Sequence, residues 1–180
     1  MNGQNEAPAG QEGEIWIKGP NIFKGYYKNP KATADSMNED GWFRSGDIGY
    51  IDKYNNLYIT DRFKELIKYN GFQVAPAQLE GLLLGHPAVN DVAVIGIYSK
   101  QRATELPRAY IVPANGYTVG EELEKEISDW LHQKVASYKR LRGGIRFLDE
   151  IPKSAAGKVL RRVLVEQAKE EAEEPIGPRL

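Results

Sequence analysis

Asp61-Arg62-Phe63-Lys64-Glu65-Leu66-Ile67-Lys68-Tyr69-Asn70-Gly71-Phe72-Gln73-Val74 is the stretch on which the reading of this chain turns. Arg62, Lys64 and Lys68 are interspersed with Phe63, Leu66 and Ile67. Asn70-Gly71 is a dipeptide that tolerates positive φ, as the tight turn of a two-residue hairpin requires. Taken by itself the stretch reads as an exposed basic hairpin. It also divides the sequence, with turns and short strands before it and a pattern that reads as one compact domain after it.

After the stretch, Pro76 to Leu84 reads as a helix, with proline in its first turn and Gly85 at its end. Leu79, Leu82 and Leu83 recur there at helical spacing. Asp91 to Ile97 alternates as a buried strand, Arg108 to Val112 is its expected partner, and Gly144 to Leu148 is another strand. Leu123, Ile127, Trp130, Leu131 and Val135 mark one face of a helix over residues 119 to 136. Val159, Leu160, Val163 and Leu164 mark the apolar face of a last helix, which is expected to fray into the charged run 169 to 174.

Before the stretch, Ile15 and Ile17 alternate with polar neighbours as in a half-buried strand. A short helix is expected over 31 to 37, and Tyr50-Ile51-Asp52 and Leu57 to Thr60 read as two strands around Asn55-Asn56. Few bulky residues are available there for two sheet faces, so this first third is expected to be a poor fold by itself. Helices and strands mix without strict alternation, which makes the class α+β.

Composition narrows the function. The 24 basic residues nearly balance 25 acidic ones, which gives no footing for nucleic acid or an anionic membrane as the main partner. Without cysteine there are no disulfides and no thiolate metal sites. His86 and His132 are too few and too distant in sequence to suggest a metal centre. No stretch approaches the ~18 apolar residues of a membrane span, and the polar N-terminus lacks the apolar core of a signal peptide. An intracellular, cytoplasmic protein is the expectation. Pro178-Arg179-Leu180 is a poor match to the Ser-Lys-Leu peroxisomal address, because proline stands where a small residue belongs.

The chain has no phosphate loop of its own. Gly157-Lys158 ends like one, but Pro152 occupies the position of the first glycine and Val159 that of the magnesium-binding hydroxyl. ATP chemistry would have to be shared with residues outside this sequence.

Four stretches, in order, carry a resemblance. They are Gly13-Glu14-Ile15-Trp16-Ile17-Lys18-Gly19-Pro20 running on to Gly25-Tyr26-Tyr27, then Gly41-Trp42-Phe43-Arg44-Ser45-Gly46-Asp47, then the central stretch, then Pro152-Lys153-Ser154-Ala155-Ala156-Gly157-Lys158. Together they resemble the adenylate-forming (AMP-binding) superfamily, most closely acyl-CoA synthetases and aryl-CoA ligases of the 4-coumarate type, with firefly-type luciferase sharing the same motifs. The resemblance implies that residues 1–61 end a large AMP-binding domain, 62–68 form a hinge region, 69–174 form a small C-terminal domain with a short sheet flanked by helices, and 175–180 form a tail. The Ser/Thr/Gly-rich phosphate loop and the Tyr-Gly-x-Thr-Glu segment of the family would lie upstream.

The resemblance also implies roles. ATP with Mg2+ and coenzyme A would be substrates, together with a carboxylic acid. Asp47 would accept hydrogen bonds from the ribose hydroxyls of ATP, and Arg62 would reach the ribose or a phosphate. Lys64 would be the hinge residue whose backbone rotates between two orientations of the small domain. Lys158 would serve adenylation, beside Gly157 and a helix start. Lys68 and Gln73 would serve thioester formation, with Gly71 lining the coenzyme A tunnel. Two other roles fit the same motifs: a non-catalytic module that binds a partner, and an adenylation domain that serves a carrier protein.

Overall fold

The computed structural model describes residues 6–173. The charged run of the last helix is therefore described to Glu173, and the tail 175–180 with Pro178-Arg179-Leu180 lies outside the described residues. The chain divides into two compact units that meet in sequence between Lys64 and Glu65.

The first unit is a three-stranded antiparallel sheet in the order β1 (Gly13–Ile17), β2 (Phe43–Ile51), β3 (Leu57–Arg62). One helix, α1 (Pro30–Ser36), joins β1 to β2; the Asn29 side chain caps it by accepting from the Ala32 N–H at 3.0 Å. Strand β2 begins well before the Tyr50-Ile51-Asp52 signal. Gly46 and Gly49 interrupt the apolar alternation of 43–49, so the pattern there does not read as a strand. Gly49 sits where the β2–β3 register shifts. A Cβ at that position would lie 2.2 Å from the Tyr58 carbonyl oxygen, so only glycine lets the strands approach. No apolar side chain among the described residues of this unit is fully buried, and Ile51, Leu57 and Ile59 are exposed. The shortage of bulky inward positions noted in the sequence is visible here.

The second unit opens with a hairpin, β4 (Ile67–Tyr69) and β5 (Phe72–Val74). Asn70 (φ 46°) and Gly71 (φ 83°) form its two-residue turn, the geometry that Asn-Gly favours because both positions need positive φ. The hairpin is not simply an exposed basic element. Ile67, Tyr69 and Val74 point into the core, and Lys68 points out, as a period of two requires.

There follow α2 (Pro76–Leu83), β6 (Val89–Ser99), β7 (Thr104–Pro113), α3 (Glu121–His132), a 3-10 turn at Ser137–Lys139, β8 (Ile145–Phe147) and α4 (Arg161–Glu173). β6 pairs antiparallel with β7, and β8 runs parallel to β7 on its other side. The expected alternation of 91–97 gives way to continuous burial over Val92–Ile95. Both faces of β6 are covered. Val92 and Val94 pack with Leu79 and Leu83 of α2 and with Leu123, Ile127 and Leu131 of α3. Ala93 and Ile95 pack with Tyr110, Ile151, and Leu164 and Ala168 of α4. A strand buried on both faces reads as a continuous apolar run. The unit is the small α+β domain with a flanked sheet that the sequence leads one to expect.

Leu131 is fully buried at the helix–sheet contact. Leu131→Ala should therefore cost about 2–5 kcal/mol, the range for truncating a core leucine. Urea unfolding followed by far-UV circular dichroism measures it; a cost below about 0.5 kcal/mol, the size of surface effects, would remove Leu131 from the core.

The last helix differs from its expectation at both ends. Val159 and Leu160 do not belong to it: Val159 bridges to Lys153, and the Leu160 N–H donates to the Pro152 carbonyl at 2.8 Å. At the other end the charged run is still helical at Glu173, and the Glu171 carboxylate accepts from Arg108 at 2.9 Å rather than extending into solvent as part of a frayed end.

Candidate active-site residues

Asp47 and Arg62 are direct partners across β2 and β3. Arg62 Nε donates to Asp47 Oδ1 at 3.2 Å. Asp47 is held from behind: its N–H donates to Ser45 Oγ at 3.0 Å, and that hydroxyl donates to the Ile15 carbonyl of β1 at 2.7 Å. Asp47 thus lies in a braced strand rather than in an exposed turn. With side chains 26% and 54% exposed, the pair adds at most about 1 kcal/mol to stability. Its chemical interest is the open carboxylate beside a guanidinium, which together match a vicinal diol and a neighbouring anion.

Lys68 and Gln73 are direct partners across the hairpin, so their side chains leave the same face. Gly71 lies in the turn beside them, and a Cβ there would meet nothing within 4 Å. The hairpin is fastened to the start of β7 by three bonds that the sequence did not signal. The Lys68 N–H donates to Glu105 Oε2 at 2.7 Å; Thr104 Oγ1 donates to the Lys68 carbonyl at 2.8 Å and accepts from the Asn70 N–H at 2.8 Å. Phe72 stacks on Tyr138 with centroids 4.5 Å apart, which braces the outer strand.

Lys158 stands on a tight loop of its own. The Gly157 N–H donates to the Ser154 carbonyl and the Ser154 N–H to the Lys158 carbonyl, both at 2.8 Å. The Lys158 N–H donates to Ser154 Oγ at 3.2 Å, and Gly157 takes φ 77°, which a residue with a Cβ avoids. The loop is closed from Lys153, whose ammonium pairs with Asp91 of β6. The Lys158 side chain is exposed and makes no ion pair among the described residues. The expected helix start directly after Gly157-Lys158 is absent: α4 begins only at Arg161, so a helix N-terminus does not share the loop's position.

Lys64 is an exposed turn residue just after β3. The histidines have structural surroundings: His86 is buried edge-on to Trp130, and burial, with Arg140 nearby, lowers the His132 pKa. Among the described residues no cluster of histidines and carboxylates could hold a metal ion. No helix there is long and apolar enough to cross a membrane.

Residues 78–158 match the AMP-binding enzyme C-terminal domain family. The likeness runs along most of the chain. 4-coumarate–CoA ligase 2 of Nicotiana tabacum is 49% identical over 160 residues, 89% of this chain and 29% of the relative. Luciferin 4-monooxygenase of Luciola mingrelica is 47% identical over 87% of this chain and 28% of its own length. The ATP-bound structure of MatB from Rhodopseudomonas palustris superposes with a TM-score of 0.84 at 33% identity, over 93% of this chain and 32% of that one. The chain therefore spans less than a third of the relatives it matches. The matched range carries Lys158, while Lys68, Gly71 and Gln73 lie just before it, and Asp47 and Arg62 lie in the other unit.

Proposed function

We propose that this chain is the C-terminal part of an ATP-dependent acyl- or aryl-CoA ligase. What carries the reading is the identity with CoA ligases along nearly nine-tenths of the chain, within which Asp47–Arg62 and Lys68–Gln73 fall as cross-strand pairs. In the first half-reaction a carboxylate oxygen attacks the α-phosphorus of ATP. The acyl–phosphate bond forms, the α–β bond breaks, and pyrophosphate leaves; Mg2+ would enter with ATP as part of the substrate. In the second, the thiol of coenzyme A loses its proton and attacks the acyl carbonyl; the thioester forms and AMP departs.

The side chains divide the work. Asp47 holds the ribose hydroxyls, and Arg62 holds the ribose or a phosphate. Lys158 offsets the negative charge of the two reactants during adenylation, since an ammonium between two anions stabilises their approach. Lys68 and Gln73 face the acyl-adenylate during thioester formation, with Gly71 leaving room for the thiol arm. Lys64 is the pivot, because backbone rotation at one exposed residue between two compact units exchanges the two faces. Residues 1–61, 62–68 and 69–174 then act as the end of the large domain, the hinge region and the small domain.

ATP–pyrophosphate exchange tests the reading. A complete protein carrying this chain should exchange labelled pyrophosphate in the presence of an acyl or aryl acid, and the 180-residue chain alone should not. Exchange by the chain alone would contradict the shared site, and a complete protein inert toward a broad panel of acids would favour the non-catalytic module.

A further inference from the structure

The Lys158 loop ends on an arginine that the motifs leave unexplained. Leu160 closes the loop through its N–H bond to the Pro152 carbonyl, and Arg161 follows as the first residue of α4. Its guanidinium bridges two carboxylates. Nη2 donates to Glu80 Oε1 and Oε2 of α2 at 2.7 and 2.8 Å, and Nη1 lies 3.2 Å from Oε2 of Glu65. Glu80 Oε1 also accepts from the Val94 N–H, in the middle of β6, at 2.8 Å. All three side chains are mostly buried, with exposures of 19% for Arg161, 25% for Glu65 and 15% for Glu80.

These contacts join three places in the chain: the foot of the Lys158 loop, the core strand β6, and the residue immediately after Lys64. Only Glu65 and Leu66 separate Lys64 from the buried Ile67, and neither lies in a helix or strand. Such a link would flex unless something held it. A planar guanidinium that engages two carboxylates at once fixes direction as well as distance, which the point charge of a lysine does not.

We propose that Arg161 is a positioning residue whose guanidinium binds Glu65 and the Lys158 loop into one body, so that rotation at Lys64 carries Lys158 with it. The consequence for catalysis rests on the ligase reading; the mechanical coupling does not. With the coupling intact, the backbone change at Lys64 reaches Lys158 undiminished. Without it, Glu65 and Leu66 absorb part of the rotation and the ammonium arrives displaced.

The test is amide hydrogen exchange on the 180-residue chain with Glu65→Gln, which keeps shape and removes the charge. Protection at 155–160 is expected to fall about tenfold along with that at 65–67, while the buried core-strand residues Tyr110 and Ile111 of β7, outside the cluster, stay within about twofold, as expected for a local opening rather than global unfolding. Arg161→Lys, which keeps the charge and loses the planar geometry, should give the same signature. A change confined to 65–67, a uniform fall that includes β7, or full protection in Arg161→Lys would each overturn the proposal. In the complete ligase, Glu65→Gln should lower kcat for adenylation about tenfold, with KM for ATP within about twofold, because misplacement rather than lost binding is the lesion. A raised KM with unchanged kcat would overturn it too. No ATP enters the hydrogen-exchange measurement, so its failure ends this proposal and leaves the ligase reading standing. Absence of pyrophosphate exchange in the unaltered complete protein ends the ligase reading and leaves amide exchange to decide the coupling.

Discussion

On the ligase reading, Lys158→Ala is expected to slow acyl-adenylate formation in the complete protein by about 10²–10³-fold, the usual loss when one electrostatic stabiliser of a developing negative charge is removed. The expectation follows from how the loop is built. Its backbone is closed on itself by Ser154, Gly157 and Val159, and Lys153 ties it to Asp91 on β6. The loop therefore keeps its shape when the side chain of residue 158 is shortened. The lost function is the ammonium and not the fold. Thermal unfolding should accordingly shift little, because an exposed lysine without an ion pair contributes little to stability. The decisive comparison is between half-reactions. Single-turnover pyrophosphate release should collapse, while conversion of supplied acyl-adenylate to thioester should stay within about twofold, since the hairpin face with Lys68 and Gln73, and not Lys158, is assigned to that step. Equal losses in both steps would remove Lys158 from the adenylation role. Lys158→Arg would keep the charge on a wider, planar head, and should recover only part of the rate.

The sequence made the hairpin and the helices of the second unit legible, because each is fixed by neighbours in the chain. Asn70-Gly71 dictates its turn, and Leu123, Ile127 and Leu131 mark the buried face of α3. Three features were not legible, each for a physical reason. Strand β2 is longer than its pattern, because Gly46 and Gly49 contribute no side chain to an alternation and yet permit the bulge. The continuous burial of Val92–Ile95 depends on α4 covering the second face of β6, a tertiary fact that no local period encodes. The start of α4 shifted to Arg161 because Val159 and Leu160 are apolar in service of the loop, where they bridge back to Lys153 and Pro152. The paired site residues stand differently. Asp47 with Arg62 and Lys68 with Gln73 were picked out by motif, and the register that makes each a cross-strand pair is new from the structure. Thr104, Glu105 and the carboxylates around Arg161 left no trace in the sequence, because their partners lie more than thirty residues away.

Lys68→Ala should give the opposite lesion: thioester formation slowed by about 10²-fold, with adenylation nearly intact. The geometry makes this a clean substitution. What holds β4 in place is the backbone of residue 68, through Glu105 and Thr104, together with the buried neighbours Ile67 and Tyr69. The exposed ammonium takes no part in that anchoring, so alanine should leave the hairpin standing. Gln73 provides the internal check. Because Lys68 and Gln73 are direct partners on one face, Gln73→Ala should lower the same step, and the double variant should fall short of the product of the two single losses, as neighbours that act on one ligand are not independent. Additive effects would mean that the two side chains act separately and that their pairing is only a consequence of strand register. A loss in adenylation would instead place the outer hairpin face at the first chemical step. The paired assignments of Lys158 and Lys68 to separate half-reactions would then fail together, since both depend on one domain presenting two faces in turn about Lys64.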